Sequence, residues 1–295
     1  MEMSLMPSRS RVKRLTINST ILLVMILVIS AGAQTGRSKP FDHYHVVLDA
    51  LLYRHVHNGR VDFEKLRIQG AELDGYLRQA GGLDRSDYDS FTRDQKLALL
   101  LNTYNAMVLK IILRDQQENS ILDVAGKWDE KRFLFLRKEC TLTQLREEFL
   151  RKDFDEPRIH CALTYASIGG PALIPEAYMY ELLDKQLSAA AENFVRDSLT
   201  NHLDRENSIL YVSKIFEWYG EDFIPKYGKT IGPSEIPSGA ISNVPSVGEA
   251  TPLHRAIVGF FSEYLDESDA AYLQSHPVEV RFLEFDWRLD SISTN

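Results

Sequence analysis

The chain has 295 residues, 44% of them hydrophobic and 26% charged, the make-up of an ordinary globular protein with length for one substantial core or two small ones. Its formal charge of −8 at pH 7 leaves no electrostatic footprint for nucleic acid and sets it against anionic membrane surfaces.

The first stretch reads as a secretory signal peptide. Arg9, Arg11, Lys13 and Arg14 precede an apolar run over 21–29, and Ala31-Gly32-Ala33 offers a small-residue cleavage site. The apolar run falls short of the roughly 20 residues that a spanning helix needs. Losing residues 1–33 takes away four basic residues and one acidic one. That leaves 30 basic against 41 acidic, a formal charge of −11. The expected product is secreted or periplasmic, with no membrane contact after cleavage and one globular domain over residues 34–295. No other stretch reads as a transmembrane helix.

Apolar residues at Phe41, Tyr44, Val47, Leu48, Leu51 and Leu52 predict an amphipathic helix over 41–57. His43, His45, His55 and His57 lie along it. Histidines two residues apart share no helical face and no acidic ligand is spaced to join them, so the histidines read as a solvated face and no metal site is expected. Asn58-Gly59 is a turn signal. A second helix is predicted over 64–79, ended by Gly81-Gly82, and 83–91 reads as a polar linker. Thr92 and Gln95 match a capping box and open the strongest helix, 97–113, which is apolar almost all round and therefore central and buried. Asn102 and Asn105 lie one turn apart on it. Two amides on a core helix need polar partners. They satisfy loop backbone, or they orient a catalytic or ligand-binding group.

Residues 133–136 and 140–142 read as a hairpin, and Thr143 as the cap of a short helix to Lys152. Residues 157–171 gather His160, Cys161, Thr164, Ser167 and a Gly-Gly-Pro stop. Read as a helix, they place His160, Thr164 and Ser167 on one polar face. A long helix is predicted next over 176–197, then a strand at 208–212 and a short aromatic helix over 213–219. Residues 228–251, rich in Gly, Pro and Ser, predict a flexible loop. A helix from Pro252 to about Leu265 and a closing strand within 278–287 complete the chain. The sum is an α+β fold, a mostly helical single domain with a small antiparallel sheet.

The two cysteines, Cys140 and Cys161, allow one disulfide in an exported protein, closing a loop of about 20 residues worth roughly 3 kcal/mol. Two buried free thiols are the alternative, and the residue types leave both open. His160 is the candidate general base. Cys161 lies about 100° around the helix from it, and Ser167 shares its face about 10 Å along. No dinucleotide fingerprint, phosphate loop or nucleophile elbow occurs, and no cofactor is implied.

Three ordered motifs carry a family resemblance. Leu101-Asn102-Thr103-Tyr104-Asn105-Ala106 is similar to an Asn-x-Tyr-Asn-Ala helix. The block from Asp155-Glu156-Pro157-Arg158-Ile159-His160 through Pro171 has a Pro-Arg-Ile-His pattern. Ser213-Lys214-Ile215-Phe216-Glu217-Trp218-Tyr219, with Asp222-Phe223, matches a third segment. Together they resemble the domain of unknown function 547 family over about 91–223. The family resemblance implies cysteines at two positions that hold Tyr165 and Gly170 here, and an aromatic residue where Cys161 stands, which argues against cysteine catalysis in this chain.

These residues together suggest an exported protein with a polar cleft around His160. His160 and Ser167 are the catalytic candidates. Asn102 and Asn105 orient the ligand or the histidine, and Arg158 and Lys214 hold an anionic group. Such groups suit hydrolysis of an amide or ester with His160 as general base. The competing reading is a non-catalytic envelope module that binds a peptide, glycan or protein; either way the partner is a small molecule, peptide or protein rather than nucleic acid.

Overall fold

A computed structural model describes residues 40–114, 120–121, 129–229 and 251–292. The predicted signal peptide over 1–33 and most of the predicted loop over 228–251 lie outside them. From Phe41 onward the described residues belong to one compact unit.

The first helix, α1 (Val46–His55), starts later than its apolar pattern suggests. Asp42 is the reason: its carboxylate accepts the amides of Tyr44 and Val46 at 3.0 and 2.9 Å and holds the chain in a turn before the helix. The histidine row is not a solvated face. His45 and His55 are buried, His45 bonded to the Tyr76 hydroxyl at 2.9 Å and His55 to the Gln69 side chain at 2.8 Å. Asn58 and Gly59, both at positive φ, form the two-residue turn between β1 (Val56–His57) and β2 (Arg60–Val61).

The predicted second helix is two helices, α2 (Phe63–Ile68) and α3 (Gly70–Gly81), divided at Gln69. The expected linker contains α4 (Arg85–Ser90). The Thr92–Gln95 capping box forms as read, with reciprocal bonds of 3.0 and 3.2 Å. It opens α5 (Arg93–Arg114), the axis of the molecule. By length and mean hydropathy, 1.4, α5 would qualify as a membrane span, but 89% of that window is buried inside the fold.

β3 (Phe133–Phe135) and β4 (Lys138–Cys140) make the expected hairpin. Thr141, not Thr143, is the N-cap of the next helix, α6 (Leu142–Gln144), in a capping box with Gln144. The backbone then widens into a π-helix, Leu145–Arg151. The helix α7 is a single turn (Ile159–Ala162) and α8 spans Leu183–Val195. β5 (His202–Asp204) and β6 (Ile209–Val212) pair antiparallel. After α9 (Ile215–Trp218), a 3₁₀ turn over Gly220–Phe223 and α10 (Ile224–Tyr227), the C-terminal part contributes α11 (Pro252–Tyr264), capped by Thr251, and α12 (Glu267–Ser275). It ends on β7 (Glu279–Phe282), parallel to β6.

Beyond β7 the chain stitches three regions together. The Leu283 amide donates to the Val212 carbonyl at 2.8 Å, and the carbonyls of Asp286 and Arg288 accept from Gly169 and Ile168 at 2.9 and 3.0 Å. The amides of Asp290 and Ile292 reach Ala166 and Val61. Gly169 permits this close approach. A Cβ there would sit 2.6 Å from the Asp286 amide nitrogen, nearer than atoms can pack.

Candidate functional site

Residues 157–171 are not one helix. The amide of Asn105 reaches out of α5 and takes the backbone on both sides of the break. Its nitrogen donates to the Ala162 carbonyl at 3.0 Å, and its oxygen accepts the Thr164 amide at 2.9 Å. With those two groups satisfied from the side, α7 stops at Ala162 and the chain becomes extended at Leu163. The Thr164 hydroxyl accepts the Ala166 amide at 3.0 Å, Ala166 sits at φ 51°, and Ser167 pairs with Leu289. Thr164 and Ser167 therefore share no face with His160.

Asn102 repeats the device one turn earlier. It donates to the Tyr178 carbonyl at 2.8 Å and accepts the Tyr178 amide at 2.9 Å. Ala177 and Met179 are held by Asp49 and Gln186 at 2.9 and 2.8 Å. The helix predicted from 176 cannot begin until these clamps are passed, at Leu183. Both asparagine amides are thus committed to backbone.

His160 is 1% exposed and its partner is Asp222, on the 3₁₀ turn. His160 Nε2 lies 2.7 Å from Asp222 Oδ2. Arg151 holds the same carboxylate with two parallel bonds, Nε to Oδ2 at 2.6 Å and Nη2 to Oδ1 at 2.8 Å. Glu147 accepts from Arg151 Nη1 at 2.5 Å and from Arg146 Nε at 2.8 Å. The His160 ring stacks on Tyr219 at 4.5 Å and 9°. Both guanidiniums lie over that tyrosine, at 5.1 and 5.2 Å from its centroid.

The π-helix makes this convergence possible. Residues five apart on an α-helix point about 140° away from each other. The i to i+5 bonding of a π-helix brings them to one side, here Arg146 and Arg151.

Burial is the largest influence on the His160 pKa and pushes it down; the bond and the charge of Asp222 pull it up, the nearby Arg151 and Arg146 push it down again, and the net shift is downward. Burial raises Asp222, but the bonds from Arg151 and His160 outweigh it and hold the carboxyl well below the usual range. The pair is therefore a neutral imidazole donating Nε2–H to a carboxylate. Nδ1 keeps the lone pair; it is buried and has no hydrogen-bond partner among the described residues.

Neither Ser167, the second catalytic candidate, nor the neighbouring Cys161 is bonded to it. Cys161 is buried, and burial, then the Glu156 charge, pushes its thiol far up. The buried Ser167 hydroxyl likewise has no partner among the described residues. The two cysteines are free thiols, not a disulfide. Cys140 ends β4, its thiol bonded to the Thr141 carbonyl at 3.2 Å and pushed up to about 11 by burial and then by the Glu148 charge. Cys161 sits on α7.

The two cationic candidates are not free. Arg158 is bound to Glu156 at 2.7 Å, Asp184 at 2.8 Å and the Ser188 hydroxyl at 2.7 Å. Lys214 lies 3.4 Å from Glu284 and 3.9 Å from Glu217. It borders an open cleft of about 290 Å³ between the Gly169–Ser213 region and the 283–288 segment.

The residues that sequence reasoning passed over are Asp222, Arg151, Arg146, Glu147 and Tyr219. Asp222 and Tyr219 stood inside the third motif. Glu147 and Arg151 formed an i,i+4 charge pair, a pattern so common on exposed helices that it singles out no site. Among the described residues, no group of three His, Cys, Asp or Glu side chains is placed to hold a metal ion.

Residues 88–195 match the family described as Protein of unknown function, DUF547, the resemblance that the first two motifs carry. No curated protein and no solved structure matches the chain.

Proposed function

We propose that this is an exported module that binds its ligand without chemical turnover, and that the His160–Asp222 pair fixes the fold rather than catalysing a reaction. One observation carries the reading. A histidine base needs an orienting group on one nitrogen and a nucleophile within reach of the other. Asp222 supplies the first, whereas among the described residues no hydroxyl, thiol or other partner is bonded to the buried Nδ1. The cysteine positions implied by the family resemblance hold Tyr165 and Gly170, which points the same way.

A hydrolase is the second reading. It rests on the His–Asp bond, which is half of a catalytic triad, and on the neighbouring π-helix, a feature frequent at functional sites.

The full chain and His160→Ala, both checked for native near-ultraviolet circular dichroism, are assayed against a panel of amides and esters. Equal rates from the two proteins, at the background of the assay, are expected. Turnover that disappears in a folded His160→Ala variant would establish the hydrolase instead. If His160→Ala does not fold, His160→Gln replaces it in the same comparison.

A further inference from the structure

The open cleft beside Lys214 takes no part in the His160 network, and its chemistry narrows what it can hold. Its cations are already paired. Lys214 meets Glu284 and Glu217, Arg288 meets Asp286 at 2.5 Å, and Arg60 meets Asp290 at 3.3 Å. A free anion would compete with a carboxylate already beside each of these, so among the described residues the cleft offers no unpaired cation with which to recruit one. The 283–288 wall has also spent backbone groups on Val212, Ile168 and Gly169, the groups a peptide strand would need for pairing. Side-chain oxygen and nitrogen stay available, on exposed, fixed carboxylates and guanidiniums. Glu284 is almost fully exposed and Arg288 largely so.

An aromatic surface stands beside these groups. Trp218 is 37% exposed, high for a tryptophan on a folded surface. Phe285 and Trp287 brace it at ring distances of 5.0 and 5.7 Å. Phe285 and Lys214 line the cleft, and Trp218 lies one helical turn after Lys214, its amide donating to the Lys214 carbonyl at 3.0 Å. The aromatic ring and the polar wall therefore belong to one continuous surface.

We propose that this surface binds an uncharged sugar chain. Hydroxyl groups both donate and accept, so they bond to paired carboxylates and guanidiniums without breaking the pairs. The apolar C–H face of a pyranose covers an exposed aromatic ring and buries area on both sides. An anion, which only accepts, meets neither requirement, and an aliphatic ligand meets only the second. This assignment gives the ligand class for the non-catalytic reading and rests on it in one respect, that the sugar leaves unchanged.

The test is an array of uncharged plant, animal and microbial glycans, probed with the full chain, followed by calorimetric titration of the best oligosaccharide. The expected result is binding that quenches or shifts tryptophan fluorescence. In Trp218→Ala the affinity is expected to weaken about tenfold, equivalent to about 1.4 kcal/mol, and in Arg288→Ala to fall by a smaller factor. Both positions are exposed, so both variants should keep the wild-type circular dichroism. Three results would overturn the assignment: no uncharged glycan binds, only acidic glycans or peptides bind, or binding survives both substitutions unchanged. The two readings fail separately. An oligosaccharide that is bound and then cleaved contradicts the non-catalytic reading and leaves the sugar assignment standing. Silence on the array with no turnover does the reverse.

Discussion

The surroundings of His160 and the cleft beside Lys214 both gather charged side chains and aromatic rings, yet they dispose of them in opposite ways. Around His160 the arginines and carboxylates bond to one another beside Tyr219 with 12–34% of each side chain exposed, and the imidazole itself is 1% exposed with one nitrogen unpaired among the described residues. Beside Lys214 the ion pairs stand at the surface with oxygen and nitrogen still facing solvent. A reactive residue type does not mark a site by itself. Access decides, and here the region richest in chemical potential is the less accessible of the two.

The closed region should be the fragile one. Asn105→Ala is expected to have the largest effect, because it strands the buried Ala162 carbonyl and Thr164 amide together. Each unpaired buried group costs about 1–3 kcal/mol, so a loss of about 3 kcal/mol in urea unfolding is predicted. A loss under about 1 kcal/mol would mean that the clamp does not hold the break in the helix.

Gly169→Ala ranks next. Its Cβ would press on the Asp286 backbone at 2.6 and 3.0 Å, with an expected loss of about 1–3 kcal/mol from overpacking. Because Gly169 lines the cleft, the same variant should disturb the open region while leaving the His160 pair intact. Wild-type stability would show that the 283–288 segment does not pack against Gly169.

Acidification should weaken the fold as a whole rather than one of the two regions. Burial is the leading cause that lowers the pKa of His45, to about 4, and of His160 and His254. Their unfolded value is about 6.5. A folded pKa below the unfolded one contributes stability that is complete above the unfolded value and is lost as pH falls below it. The urea midpoint should therefore hold steady from pH 8 to 7 and decline from about 6.5 toward 5. Asp222, also lowered, adds nothing in that window, since its contribution is lost only below the unfolded value of about 3.9. A midpoint that rises on going to pH 5 would contradict the burial of the three histidines.

Much of the scaffold was legible in the sequence, because it obeys local rules. The Thr92–Gln95 capping box, the Asn58-Gly59 turn, the Pro252 start of α11 and the apolar run of α5 each depend on residues within a few positions. The shape of 157–178 was not legible, because two side chains on α5 impose it from 57 to 76 residues away. An i,i+3,i+4 pattern cannot register that Ala162 and Thr164 will find an asparagine instead of each other's helix. The same limit hid Asp222. It lies 62 residues from His160, and only the π-helix that aligns Arg146 with Arg151 creates its surroundings. Periodicity did find His160, but it assigned Thr164 and Ser167 to a face that the fold never forms.

Closure of His160 to solvent and substrate is the central claim, and deuterium exchange at the imidazole Cε1–H, tracked residue by residue with mass spectrometry, measures it directly. His57, His202 and His276 are exposed and serve as internal standards. At pH 8, His160 is predicted to exchange at least about tenfold more slowly than these three, with no change when amide or ester substrates are added. Exchange at the rate of the exposed histidines, or protection that appears only with substrate, would place an open catalytic base at His160 and contradict that closure.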